Sequence, residues 1–111
     1  SLHDALPILF AEAGKKTGIQ VLPYQETGVE DPFFSRSDNV SLAHYGVVAH
    51  SVCVALEFPD YHGLGDEWQK IDYANMARTA RMIALATLQL ADSAEVPRWN
   101  PAQPAAKPYI P

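Results

Sequence analysis

The chain has 111 residues, 48% of them apolar, and a formal net charge of −5, which suits one globular domain with a modest core. The acidic balance and the lack of clustered Lys and Arg argue against a nucleic-acid partner, which needs cations set against phosphates. No apolar run reaches the ~20 residues of a membrane span, since the longest candidate, residues 80–91, is interrupted by Arg81, Thr87 and Gln89. A single cysteine, Cys53, leaves the redox compartment open.

Residues 1–8 lack an initiating Met and the basic start, apolar run and cleavage site of a signal peptide. They resemble a translated sequencing adapter and are set apart as a non-native leader, a frayed N-terminus being the alternative, and under either reading His3 and Asp4 receive no role. The native chain is then expected to begin near Leu9, with its true start and any targeting signal further upstream. Residues 9–97 would form the body and residues 98–111 a Pro-rich tail.

Leu9, Phe10 and Ala13, with Glu12, Lys15 and Lys16 between them, read as the end of an amphipathic helix that stops near Gly18. Residues 19–22 read as a short strand, and residues 23–37 as a loop punctuated by Pro23, Gly28 and Pro32. Asp38 is placed to cap a short helix over residues 39–45, closed by Gly46 in the left-handed conformation. Residues 47–55 are β-branched and almost wholly apolar, which predicts a strand buried on both faces. Pro59, Gly63 and Gly65 then make residues 57–70 a loop.

The longest predicted helix covers residues 72–91, with Asp72 as N-cap and Ile71 and Met76 as a hydrophobic staple. Met76, Ala80, Ile83, Thr87 and Leu90 recur at threes and fours as its core face. Beyond Val96, Pro97, Pro101, Pro104, Pro108 and Pro111 predict an extended or disordered tail, pinned at its start by Trp99. The order helix, strand, helix, buried strand, helix is α/β. Two strands make a poor sheet, so its remainder is expected in an upstream half or a partner.

The loop around Asp60, Tyr61, His62 and Asp66 follows the end of the predicted buried strand, where α/β folds place ligands. Spacing alone gives no metal motif, and on that basis His62 is an ordinary loop histidine. His50 reads as a core histidine, His44 as a helix surface residue, Cys53 as a buried small hydrophobe, and Trp68 and Trp99 as packing residues.

Ser37-Asp38-Asn39, Gly46-Val47-Val48-Ala49-His50, Asp60-Tyr61-His62, Asp66 and Lys70-Ile71-Asp72-Tyr73 resemble, in order and spacing, the closing segment of the zinc-dependent aminopeptidase family. That family includes the bacterial leucyl aminopeptidases, glutamate carboxypeptidase and glutaminyl cyclase. The resemblance implies the C-terminal part of a three-layer α/β/α fold with a mixed sheet, and an exopeptidase that hydrolyses a terminal peptide bond with two zinc ions. It makes His62 the last of five metal ligands, the other four and the general base lying upstream, so the chain alone is expected to be inactive. Tyr61 stands where some members hydrogen-bond the tetrahedral intermediate, an interfacial packing role being the alternative. Ser37, Asp38 and Asn39 match a substrate-pocket segment, with Asn39 in place of a His and Leu42 in place of a Phe, and Asp38 is equally an N-cap. Asp66 either orients the ligand loop from behind or is a solvated loop carboxylate. The implied partners are a peptide substrate and the missing upstream half, and the implied location is extracytoplasmic. A relative that keeps the fold as a receptor or interaction domain is the other reading.

Overall fold

The computed structural model describes residues 5–24, 32–53 and 58–111. Three α-helices follow in order: α1 (Ala5–Thr17), α2 (Asn39–His44) and α3 (Tyr73–Ala91). Short 3-10 helices cover Phe33–Arg36, Trp68–Lys70 and Pro104–Tyr109.

Helix α1 begins inside the segment set apart as a leader, and Leu6 there is buried. Lys15 and Lys16 occupy its last turn, where cations complement the negative end of the helix dipole. Gly18 adopts a φ of 75°, which a residue without Cβ reaches at no steric cost. That turn lets the Ile19 N–H donate to Gly14 O at 2.9 Å, the six-to-one bond of a Schellman motif. The chain reverses there, and Ile19 and Val21 fold back against the helix packing.

Helix α3 starts where the sequence places it, because Asp72 Oδ1 accepts from the Asn75 N–H at 2.9 Å and satisfies an otherwise unpaired donor of the first turn. The staple does not form as expected, since Ile71 and Met76 are both exposed. Ala13, Met82 and Ala86 make the core between α1 and α3, with Leu9, Phe10, Ile19, Val21 and Leu85 packed around it. The buried residues of α3 are Thr79, Met82 and Ala86, whereas Met76, Ala80, Ile83 and Thr87 face outward. At 3.6 residues per turn, the true buried stripe lies about 90° around the helix from the expected one. The apolar arc of α3 is wider than one face, so periodicity leaves its rotation open. The small side chain of Ala13, fully buried against Met82 and Ala86, lets the helices approach on that line.

The α/β expectation is not met: among the described residues no strand forms. Residues 19–22 do alternate, with Ile19 and Val21 half-buried and Gln20 and Leu22 exposed, but no neighbour offers them a ladder of N–H and C=O groups. Residues 47–53 are also without strand structure, and Val47, Val52 and Cys53 are exposed. Cys53 is therefore not the buried hydrophobe its surroundings in sequence suggest. Val54 and Ala55, the end of that expected strand, lie outside the described residues. A β-branched run becomes a strand only when a second backbone pairs with it, and helices supply none.

The tail also departs from expectation. Residues 104–109 form a 3-10 helix that packs on α2, Ala106 is buried, and Tyr109 lies against Phe34 and Trp99 at centroid distances of 5.3 and 5.4 Å. Pro104 takes the first helical turn, where its missing N–H costs nothing. Pro111 occupies the place a Cβ on Gly46 would need, with its Cγ 2.7 Å away. The left-handed closure of α2 at Gly46, with φ 81°, is as expected.

The chain exposes 8444 Å², against about 6100 Å² for a compact protein of its mass. Much of its apolar content is consequently uncovered, including Leu22, Leu64, Trp68 and Leu88. Among the described residues no helix is long and apolar enough to cross a membrane.

Because Met82 is, among the described residues, the one large side chain fully enclosed, Met82→Ala should cost about 2 kcal/mol or more, while Ile83→Ser should stay within about 0.5 kcal/mol. Urea unfolding of the two variants decides which face of α3 carries the core. Removing residues 104–111 should lower the melting temperature by about 4–8 °C, the shift that ~1 kcal/mol of lost aromatic packing produces in a domain of this size. An unchanged melting curve would mean that the tail does not dock.

Candidate functional site

Two groups of side chains carry chemistry. The first is the loop before α3. Turn bonds from Tyr61 N–H to Phe58 O at 3.0 Å and from Gly63 N–H to Asp60 O at 2.7 Å force a tight reversal that lifts Tyr61 and His62 to its tip. Both are exposed. Their rings lie 4.0 Å apart, and Tyr61 also meets Phe58 edge-on at 5.6 Å. His62 has a φ of 57°, the left-handed region that costs an L-residue roughly 1–2 kcal/mol. Strain of that kind persists where the surroundings over-determine the backbone, and it marks functional turns more often than ordinary ones.

Behind the tip, Lys70 Nζ donates to Asp60 Oδ2 at 2.7 Å. Both side chains are partly solvated, so the pair contributes at most about 1 kcal/mol. Asp66 lies on the same loop with its N–H bonded to Gly63 O at 3.2 Å. Its carboxylate is exposed, and among the described residues it makes no hydrogen bond to the His62 imidazole.

The second group surrounds the start of α2. Asn39 is buried at 8% exposure, its Nδ2 donating to Phe34 O at 3.0 Å and its Oδ1 accepting from Ser51 Oγ at 2.9 Å. The amide therefore brackets the 3-10 helix Phe33–Arg36 to the extended residues after α2. Asp38 precedes it but makes no side-chain cap bond, and Ser37 and Asp38 are both exposed. Around this bracket His50 meets Trp99 at 5.2 Å and Phe34 at 6.3 Å, edge-on in both cases. His44 reaches Tyr109 at 5.4 Å. His50 is exposed and so is not the core histidine that its place in the sequence suggests, although the edge of its ring meets Phe34 and Trp99. Trp99 packs as expected, whereas Trp68 stands out at 68% exposure. Helix α2 touches the helices Phe33–Arg36 and Pro104–Tyr109, and neither Trp68–Lys70 nor α3. Tyr61, His62 and Asp66 therefore share one loop, while Ser37, Asp38 and Asn39 belong to a separate cluster.

Sequence reasoning missed the Asp60–Lys70 pair and the aromatic cluster that gathers the tail. Opposite charges ten residues apart across a Gly-rich loop were a readable signal for the first. For the second, only the aromatic spacing of Trp99 and Tyr109 hinted at docking.

Among the described residues no three His, Cys, Asp or Glu side chains converge to hold a metal ion. His62 fits as a single ligand, being an accessible imidazole on a hydrogen-bonded turn, but Asp60 is engaged by Lys70 and the chain does not complete a site by itself. The match to known proteins falls on the same residues. The chain matches the model for peptidase family M28 over residues 3–87, which includes the loop, the Ser37–Asn39 segment and most of α3, and it belongs to that family. The family is one of peptidases, and that is the class of the parent protein. Comparison with curated proteins and with solved structures returns no match.

Partial desolvation beside Phe34 and Trp99 lowers the pKa of the His50 imidazole, because loss of water disfavours the charged ring, although the residue as a whole is exposed. The neutral form favours the packed cluster, so this contribution is complete above the ~6.5 of an unpacked histidine and is lost as pH falls through the lower, packed value. In a Trp68→Phe background the emission of Trp99 should shift to the red between about pH 7 and pH 5, and His50→Phe should remove that shift. A flat profile before the His50 change would reject the link between this ring and the docked tail.

Proposed function

We propose that the chain supplies the last metal-binding loop of a zinc-dependent exopeptidase, with His62 as one ligand of a two-zinc site whose other ligands lie outside this sequence. The observation that carries the reading is the position of His62: within the family match, exposed, and held in a strained left-handed turn. The large apolar surface that the chain leaves open supports the view that it packs against further protein.

Zinc in such a site polarises the scissile carbonyl and lowers the pKa of a bound water. The residues of this chain act around it. His62 would offer one imidazole nitrogen as ligand, leaving the other free to donate to an acceptor that fixes the ring. Tyr61, whose ring lies 4.0 Å from that of His62, would donate a hydrogen bond from its hydroxyl to the oxygen that becomes negative when the peptide carbonyl is attacked. Its exposed ring leaves that hydroxyl open to a substrate. Ser37 and Asp38, both exposed, are the surface on which a substrate side chain would rest.

Two measurements test the reading together. The chain by itself should bind zinc weakly and release no amino acid from aminoacyl p-nitroanilides, because a catalytic zinc needs about three protein ligands. In the complete peptidase, His62→Ala should remove one zinc and nearly all kcat/KM while leaving the circular dichroism unchanged, since His62 contributes nothing to the core. Full zinc content and full rate in that variant would exclude His62 as a ligand.

A further inference from the structure

The tip that carries Tyr61 and His62 has little apolar burial of its own: Phe58, Tyr61, Leu64 and Trp68 are all exposed. A loop without apolar anchors keeps one shape only through polar cross-links and backbone turns. Here the cross-link is specific. Lys70 Nζ reaches Asp60 Oδ2 at 2.7 Å and closes a span of ten residues around the strained His62. Gly65 lies directly beneath the pair. A Cβ on Gly65 would collide with Asp60 Oδ1, would stand 2.9 Å from Asp60 Cγ, and would lie 3.2 Å from Lys70 Nζ.

Within the closed span, Gly63 donates to Asp60 O, Asp66 to Gly63 O at 3.2 Å, and Glu67 to Gly65 O at 3.0 Å. At the far end Lys70 closes the 3-10 helix Trp68–Lys70, two residues before Asp72 caps α3. The ion pair therefore joins the start of the loop to the residues that lead into α3.

We propose that Asp60 and Lys70, with Gly65 leaving them room, form a latch that fixes the Tyr61–His62 tip against the start of α3. Asp60 and Lys70 are positioning residues for the His62 imidazole, a role that rests on His62 being the metal ligand proposed above. An imidazole already held in place loses less conformational freedom when a metal fixes it. A partly solvated ion pair adds little to global stability, so the latch acts on the loop rather than on the fold.

Amide exchange measured by NMR on the 111-residue chain tests the latch without any metal. Lys70→Ala should speed exchange at Gly63 and Asp66 about threefold to fivefold, the range that a partly exposed ion pair can produce, with α3 amides unchanged. Gly65→Val should do the same with no charge altered, and Lys70→Arg should restore slow exchange because a guanidinium keeps the charge and the reach. In the zinc-loaded peptidase, zinc release to a chelator should be about tenfold faster in Lys70→Ala, as for other partners that orient a metal ligand from behind, and near the parent rate in Lys70→Arg. The latch is refuted if Lys70→Ala and Gly65→Val exchange and retain zinc as the parent does, if Lys70→Arg is as defective as Lys70→Ala, or if α3 amides accelerate as much as the loop. Should the loop loosen as expected while His62→Ala keeps its full zinc, the latch holds and the assignment of His62 as a ligand fails instead.

Discussion

The contact of Met82 with Ala13 and Ala86 between α1 and α3 is the constraint on which the rest depends. The alanines, Ala13 on α1 and Ala86 on α3, let the helices come close, and the flexible Met82 side chain beside Ala86 fills the space left between them. The Schellman turn at Gly18 then returns Ile19 and Val21 to the same core. With α3 fixed by that packing and started by Asp72, the residues just before it have a defined origin. Lys70 takes its place from that origin, and so does the loop that ends there.

The loop itself is built differently from the core it adjoins. Its order comes from turn bonds and an ion pair, and one of its exposed residues, His62, is held where an L-amino acid is uncomfortable. Low local burial and stored strain belong together at sites that must meet a ligand. The loop lies within the stretch that matches the peptidase family.

The aromatic cluster solves a separate problem. Asn39 ties the helix Phe33–Arg36 to Ser51, and the rings of Phe34, His50, Trp99 and Tyr109 gather the Pro-rich end of the chain over that bracket. Proline lowers the freedom a tail must lose on docking, so a short segment with two aromatic anchors is held by few contacts. The indole Nε1 of Trp99 is buried without a hydrogen-bond partner among the described residues, which costs this cluster some of its stability.

Local signals in the sequence determined local features of the protein. Asp72 as a cap, Gly18 and Gly46 as helix ends, the span of α3 and the turn-rich loop around His62 all follow from interactions within a few residues, and each is present. The family, too, was legible in the order of short motifs from Ser37 to Tyr73. What depended on distant partners was not. The β-branched residues 47–53 found no second backbone and remained without a sheet, because strand formation is decided by the neighbour as much as by propensity. The rotation of α3 was settled by Ala13 on another helix rather than by the periodicity of Met76, Ala80 and Ile83, since an apolar arc wider than one face fits more than one partner. The tail docked because Phe34, His50 and Trp99 happened to converge, and the Asp60–Lys70 pair formed because the turn at Gly63 and the bare backbone at Gly65 bring opposite charges within reach. Contacts between residues far apart in sequence are a property of the closed chain, and only tertiary packing could choose among them.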